Sequence, residues 1–298
     1  MVRFRFVRSA ACMVALGLSA SVQAGPGDYS GHSNDPGNSF DAPVAFDDPA
    51  IKAWAATAAA YVPAPGVDAS FADATRAMGV VDASTLPFPE VATVSLGDLN
   101  AAQIAANVPA GFITLGFAHS IFNGAGGDFA VFENGFDNAF SGDGSWVFAE
   151  LAYVEVSTDG VNFARFPAVS TGLESELDTT FGRDFAATDP TNIYNLAGKH
   201  LAGWGTPFDL DDLSGDALVV GGLVDLSEIN FIRLVDIPGD GTFLDSLDNP
   251  IFDSWPTVGS GGLDLDAVGG IHVLPEPGTI LVLGVIAVMI TRRRAEAH

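Results

Sequence analysis

Carboxylates are the one reactive class that this sequence holds in abundance: 37 Asp and Glu stand against 12 Lys and Arg, a formal net charge of −25. They crowd the glycine-rich second half, in Asp209-Leu210-Asp211-Asp212 with Asp216, then Asp236, Asp240, Asp245, Asp248 and Asp253, then Asp264 and Asp266. Calcium takes about six to eight oxygen ligands from carboxylates and loop carbonyls, and aspartates clustered with glycine supply both. Asp264 and Asp266 are two apart on a predicted strand, so both carboxylates should point to one face. Like charges side by side repel unless a cation or hydrogen-bond donors compensate them. Asp236, closing the preceding predicted strand, is a third candidate ligand, and Glu133, next to Asn134 and flanked by Phe132 and Phe136, a fourth. The expected cofactor is therefore a structural Ca2+. An EF-hand is excluded, because Asp209-Leu210-Asp211-Asp212 lacks the acid or amide at the fifth loop position and the glycine at the sixth. Any single aspartate is equally accounted for as a solvated turn residue.

Other chemistries find less support. The histidines, His32, His119, His200, His272 and His298, show no paired ligand spacing, which argues against zinc. No Gly-x-Ser-x-Gly elbow and no phosphate-binding fingerprint occurs. Glu133 and Glu150 are the weak catalytic candidates, as a glycosidase carboxylate pair; the reading leans against an enzyme without closing the question. Trp146, Trp204 and Trp255 lie in glycine-rich or proline-flanked loops, where aromatic faces stack on sugars or anchor the loop in the core.

The elements that must position these groups read as mainly β. Ile113, Leu115 and Phe117 alternate, as do Phe129 and Val131. Phe148 to Ser157 and Phe163 to Phe166 form a predicted hairpin through Thr158-Asp159-Gly160, where Asp-Gly accepts the positive φ of a tight turn. Further strands are expected near Ala217 to Val220, Ile229 to Ile237 and Leu263 to Val273. One helix is expected near the front, capped by Asp47 or Asp48, with Pro49 in its first turn, Ile51, Trp54, Ala55 and Ala58 on one face, and Pro63 and Pro65 ending it. Short strands at this spacing, without an internal repeat, predict an antiparallel β-sandwich of jelly-roll type with a short N-terminal helix and a C-terminal hydrophobic helix.

Both ends read as addresses. Residues 1–24 comprise a basic stretch to Arg8, an apolar run and Val22-Gln23-Ala24, the pattern of a signal peptide cut by signal peptidase. A polar leader follows over 25–45, then the predicted β-sandwich domain over 46–274. Residues 275–298 hold Pro275-Glu276-Pro277, the apolar run Ile280 to Ile290 and Arg292-Arg293-Arg294. This order resembles the PEP-CTERM sorting signal. The resemblance implies an exosortase as partner, with the helix held transiently in the inner membrane and the arginines as a cytoplasmic stop. At about 12 to 14 residues the run is shorter than the roughly 20 that span a bilayer comfortably, which suits a temporary sorting anchor. A plain membrane anchor is the alternative. Gly127-Asp128-Phe129-Ala130-Val131-Phe132-Glu133-Asn134-Gly135 and Gly261-Gly262-Leu263-Asp264-Leu265-Asp266-Ala267-Val268 resemble strings in uncharacterised bacterial cell-surface proteins, a likeness that implies a fold and a location but no activity.

Six of the twelve basic residues are Arg3, Arg5, Arg8 and Arg292, Arg293 and Arg294, so the body between the ends is more acidic than the whole. Such a surface repels phosphate backbones, and no nucleic-acid partner is expected. The only cysteine, Cys12, falls within the export segment, so disulfides play no part in the body. The expected function is an exported, cell-surface or extracellular-matrix protein, a non-catalytic binding or structural module for polysaccharide or matrix. The alternatives are a secreted carbohydrate-active enzyme and a small-nutrient capture protein.

Overall fold

The computed structural model describes residues 43–82, 93–137 and 146–275. Within these the protein is mainly β, with two six-stranded antiparallel sheets face to face. In one sheet the order is Val44–Ala45, Trp204–Phe208, Phe129–Glu133, Asp264–Gly270, Ala53–Trp54, with Val94–Ser95 also pairing Asp264–Gly270. The other runs Ala164–Arg165, Ala152–Ser157, Ile229–Asp236, Phe112–Ile121, Thr57–Val62, with Leu196–Ala197 also on Ala152–Ser157. The chain passes repeatedly from one sheet to the other.

Side-chain alternation sets the layers. Phe129, Val131, Leu265 and Val268 from the first sheet meet Ile113, Leu115, Val154, Val156, Ile232 and Leu234 from the second, making the principal core. The opposite face of Phe129–Glu133 buries Ala130 and Phe132 beneath Phe46, Ile51 and Trp54. The opposite face of Ala152–Ser157 buries Tyr153 with Leu151, Ile193, Leu196 and Ile251, contributed by the long segments that follow each strand. Both faces of the central strands are therefore apolar, and polar residues along them stand out.

Two expected elements take another form. The stretch expected as a helix after Pro49 is instead the strands Ala53–Trp54 and Thr57–Val62, the second paired along Phe112–Ile121 with a register shift between Ala58 and Ala60. The cap signal was real but local: the Ala50 amide donates to Asp48 Oδ1 at 2.8 Å and the chain then straightens. Small alanines suit close sheet packing as well as a helix, and a waiting strand decides between them. Ala217–Val220, expected as a strand, is a short helix whose Leu218 amide donates to Asp216 Oδ1 at 2.8 Å. The predicted hairpin forms, with Ala164 opposite Val156, and its loop is closed by the Val161 and Asn162 amides donating to Asp159 Oδ1. The signal segment, the leader up to residue 42 and the predicted C-terminal helix lie outside the described residues, while the last two leader residues form the edge strand Val44–Ala45.

Candidate functional site

At one end of the principal core the inward-facing rhythm continues, but the side chains become acids. Two residues beyond Val131 stands Glu133, two before Ala152 stands Glu150, and two beyond Leu234 stands Asp236. Asp264 opens the strand whose Leu265 lies opposite Glu133. All four are buried, as is Asp253. Backbone amides hold one oxygen of three of these groups. The Gly135 amide donates to Glu133 Oε2 at 2.7 Å, the Leu263 amide to Asp236 Oδ1 at 2.8 Å and the Leu151 amide to Asp253 Oδ2 at 2.8 Å. Asp264 receives the Ser95 hydroxyl on Oδ1 and Asn134 Nδ2 on Oδ2, the latter at 3.0 Å. The other oxygens, Glu133 Oε1, Glu150 Oε1 and Asp236 Oδ2, are buried without a hydrogen-bond partner.

Electrostatics ties the acids into one group. Burial first, then the charge of Asp264, pushes Glu133 well above the usual carboxylate range. Glu150 is raised by burial and by the charges of Asp264 and Glu133, with a hydrogen bond to Thr257 opposing. Asp236 is raised by burial and by Asp98 and Asp264, and Asp253 by burial, Asp98 and Asp236, with Arg183 opposing in the last case. Asp98, which accepts from the Thr257 amide at 2.8 Å, is pushed up to about 7, chiefly by burial. The leading influences on Glu133, Glu150 and Asp236 include other carboxylates and no basic side chain. An unpaired buried carboxylate is costly, so such a group must hold protons or a cation.

Of these acids, Glu150 and Asp264 open on a cleft of about 280 Å³. Glu150, Asp264 and Asn134 form polar parts of its lining, and Phe136, Phe148 and Phe185 form aromatic ones. Phe136 and Phe148 stack with centroids 4.5 Å apart, and Phe185 lies 5.8 Å from Phe148 with half its surface exposed. Pro256, Thr257 and Val258 separate this cleft from a smaller one of about 150 Å³ beside Asp98.

Among the candidate residues, Glu133, Glu150, Asp236 and Asp264 are all buried and act on one another electrostatically. Asp266 is buried too, but a register shift between Leu265 and Ala267 interrupts the alternation, and Asp82 is the charge that acts most on it. The charge of Asp266 also acts on Glu133, behind that of Asp264. None of the three tryptophans lines the larger cleft. Trp255 anchors its loop by donating Nε1–H to the Leu99 carbonyl at 2.8 Å, and Trp204 begins an edge pairing with Ala45. The stacking surfaces are phenylalanines instead. Asp98 was not visible as a site residue, since Gly97-Asp98-Leu99 carries no periodic signal.

Most turn aspartates do local work. Asp209 accepts from the Asp211 amide, Asp240 from the Thr242 amide and hydroxyl, and Asp245 from the Ser170, Leu247 and Asn249 amides. Among the described residues no helix is long and apolar enough to cross a membrane. Pro275 ends the described chain; Glu276, Pro277, the apolar run and Arg292, Arg293 and Arg294 lie outside it. No family model matches the chain, and no curated protein is significantly similar to it.

Proposed function

We propose that this chain is an exported surface protein whose β-sandwich is a non-catalytic binding module for extracellular polysaccharide. The observation that carries the binding reading is the cleft, in which stacked phenylalanines stand beside carboxylate and amide groups. Sugar rings offer C–H faces to aromatic surfaces and hydroxyls to acid and amide acceptors, and this cleft presents both within one small volume. Delivery rests on the two ends of the sequence: signal peptidase removes the first 24 residues, and an exosortase reads Pro275-Glu276-Pro277 while the apolar run is held transiently in the inner membrane. The negative surface excludes nucleic acid as a partner.

The test is binding of the purified mature domain to a panel of soluble polysaccharides, followed by product analysis. Retention by at least one glycan without turnover, lost in Phe136→Ala, supports the module. Absence of binding across neutral, acidic and amino-sugar polymers overturns it. One observation favours a second reading, a carbohydrate-active enzyme: Glu133 and Glu150 lie in the same buried group with both carboxyls pushed toward the protonated form, as a general acid requires. Hydrolysis abolished by Glu133→Gln would select that reading.

A further inference from the structure

We infer that Glu133, Glu150, Asp236 and Asp264 together hold one calcium ion at the carboxylate end of the inter-sheet core, beside the phenylalanine-walled cleft. This site stands independently of whether the cleft binds glycan.

Acid clustering alone would not point to an ion, since many aspartates here merely close turns. The second observation is the fate of its second oxygens, which Asp98 Oδ1 and Asp266 Oδ2 share. In each of Glu133, Glu150 and Asp236 one carboxylate oxygen is buried and unpartnered, on a side chain almost wholly removed from solvent. Glu133 and Asp236 continue the inward rhythm of strands from opposite sheets, Glu150 stands just before Ala152–Ser157, and the charges of these acids and Asp264 act on one another. Asp264 joins them electrostatically and lines the cleft with Glu150, which leaves the group an entry path.

The donor set selects the ion. Carboxylate oxygens suit a hard cation rather than zinc or copper. Among hard ions, magnesium demands a rigid octahedron and sheds its water reluctantly, whereas calcium accepts irregular, partly bidentate carboxylates. Among the described residues no three acidic, histidine or cysteine side chains already stand at metal-holding separations. Binding therefore draws the groups inward, and Glu133 and Glu150 have the side-chain length to move. A divalent ion offsets two of the four charges. The Gly135 and Leu263 amides, the Ser95 hydroxyl and the Asn134 amide stabilise the remainder. Around the four lie Asp98 and Asp253, the latter tempered by Arg183, whose guanidinium donates to the Asp253 and Gly239 carbonyls.

Calorimetric titration of the chelator-treated mature domain with calcium chloride tests this, with magnesium chloride at equal ionic strength as comparison. The expected result is one calcium per chain and a melting temperature that rises with calcium and much less with magnesium. Glu150→Gln should weaken calcium binding by roughly tenfold or more, and exposed Glu228→Gln should leave it unchanged. At a pH high enough to strip Glu150 of its proton, Glu150→Gln removes a buried charge, and the calcium-free variant should melt higher than the calcium-free parent. An ordinary structural residue would give the opposite. Equal responses to both ions, or the same weakening in Glu228→Gln, mean diffuse attraction to an acidic surface and overturn the site. So does the absence of any heat or thermal shift. Should Glu150→Gln fail to fold, terbium luminescence of the parent decides: calcium must displace a single terbium, and no displaceable terbium overturns the proposal.

Discussion

The two ends of the same core treat buried acids in opposite ways. At one end Phe129 stacks on Phe208 at 5.3 Å and Phe166 meets both edge-on, and the acid beside them, Asp128, is wholly buried. Asp128 Oδ1 accepts from the Gly124 amide at 2.7 Å and lies 2.6 Å from His272 Nδ1, while Oδ2 accepts from the Leu210 amide at 2.7 Å. Five residues along the strand, Glu133 has one oxygen held and one bare, and Glu150 and Asp236 beside it repeat the pattern. A third arrangement lies on the second sheet, where Glu155 is buried but gripped by Arg165 Nε and Nη2 at 2.9 and 2.7 Å, with Arg233 at 3.5 Å. The chain is thus able to satisfy a buried carboxylate with its own amides or guanidinium groups. It does so at two places and leaves the third incomplete. Buried bare oxygens, which Asp98 and Asp266 also carry, separate the acids of this region from the satisfied ones.

Breaking the complete end should cost most. Asp128→Ala strands the Gly124 and Leu210 amides and leaves His272 without its partner, all against a packed aromatic cluster. Loss of a buried, fully bonded charge costs about 3 to 5 kcal/mol, and chemical denaturation should show this equally with calcium or chelator. A change below about 1 kcal/mol would mean that Asp128 is not the tie its geometry describes.

The incomplete end should respond to pH with the opposite sign from ordinary acid unfolding. Asp98 is raised from 3.8 to about 7, while Glu133, Glu150, Asp236 and Asp253 are shifted in the same direction by burial and by one another. The folded state therefore binds more protons than the unfolded one over this range. The stability these groups contribute is full below their unfolded values and is lost as pH rises through the folded ones. For Asp98 that window runs from near 3.8 to about 7, with Asp236, Asp240 and Asp253 as its charged neighbours. In chelator the domain should lose on the order of 2 kcal/mol between about pH 5 and about pH 8, and calcium should flatten the decline. Melting curves with chelator and with calcium across that range check it. Stability that instead rises with pH in chelator would remove the electrostatic contrast between the two ends.

Much of this contrast was legible in residue order, and its limits have physical causes. Alternation exposed Phe112–Ile121 and Phe129–Glu133, and Glu133 could be singled out because its neighbours Phe132 and Phe136 are apolar. Glu150 and Asp236 could be named, but not brought together, because Asp236 reaches its place through pairing with Ala152 across 84 positions of sequence. The alanine-rich run after Pro49 fits a helical face and a strand equally until Phe112–Ile121 is there to pair with it. Asp266 follows Asp264 with the spacing of a shared face, and the register shift between Leu265 and Ala267, which depends on the fit to Phe129–Glu133, is not written in that spacing. Local alternation is written in the residues themselves; convergence is decided by which strands meet.

The smallest expected effect belongs to the arginine-paired acid. Arg165 is nearly half exposed, so its attraction to Glu155 acts partly through water, although its guanidinium also lies 4.2 Å over the Tyr153 ring. Arg165→Gln should therefore destabilise by about 1 kcal/mol or less, shrinking further in high salt as exposed charges are screened. Arg233, less exposed and 3.5 Å over Phe163, remains to hold Glu155. Denaturation of Arg165→Gln at low and high salt measures this directly. A loss as large as that of Asp128→Ala would show that Glu155 depends on one cation alone. The second sheet would then resemble the incomplete end, one side chain removed, and the distinction between acids satisfied from within and acids awaiting an ion would narrow to whether a single arginine is in reach.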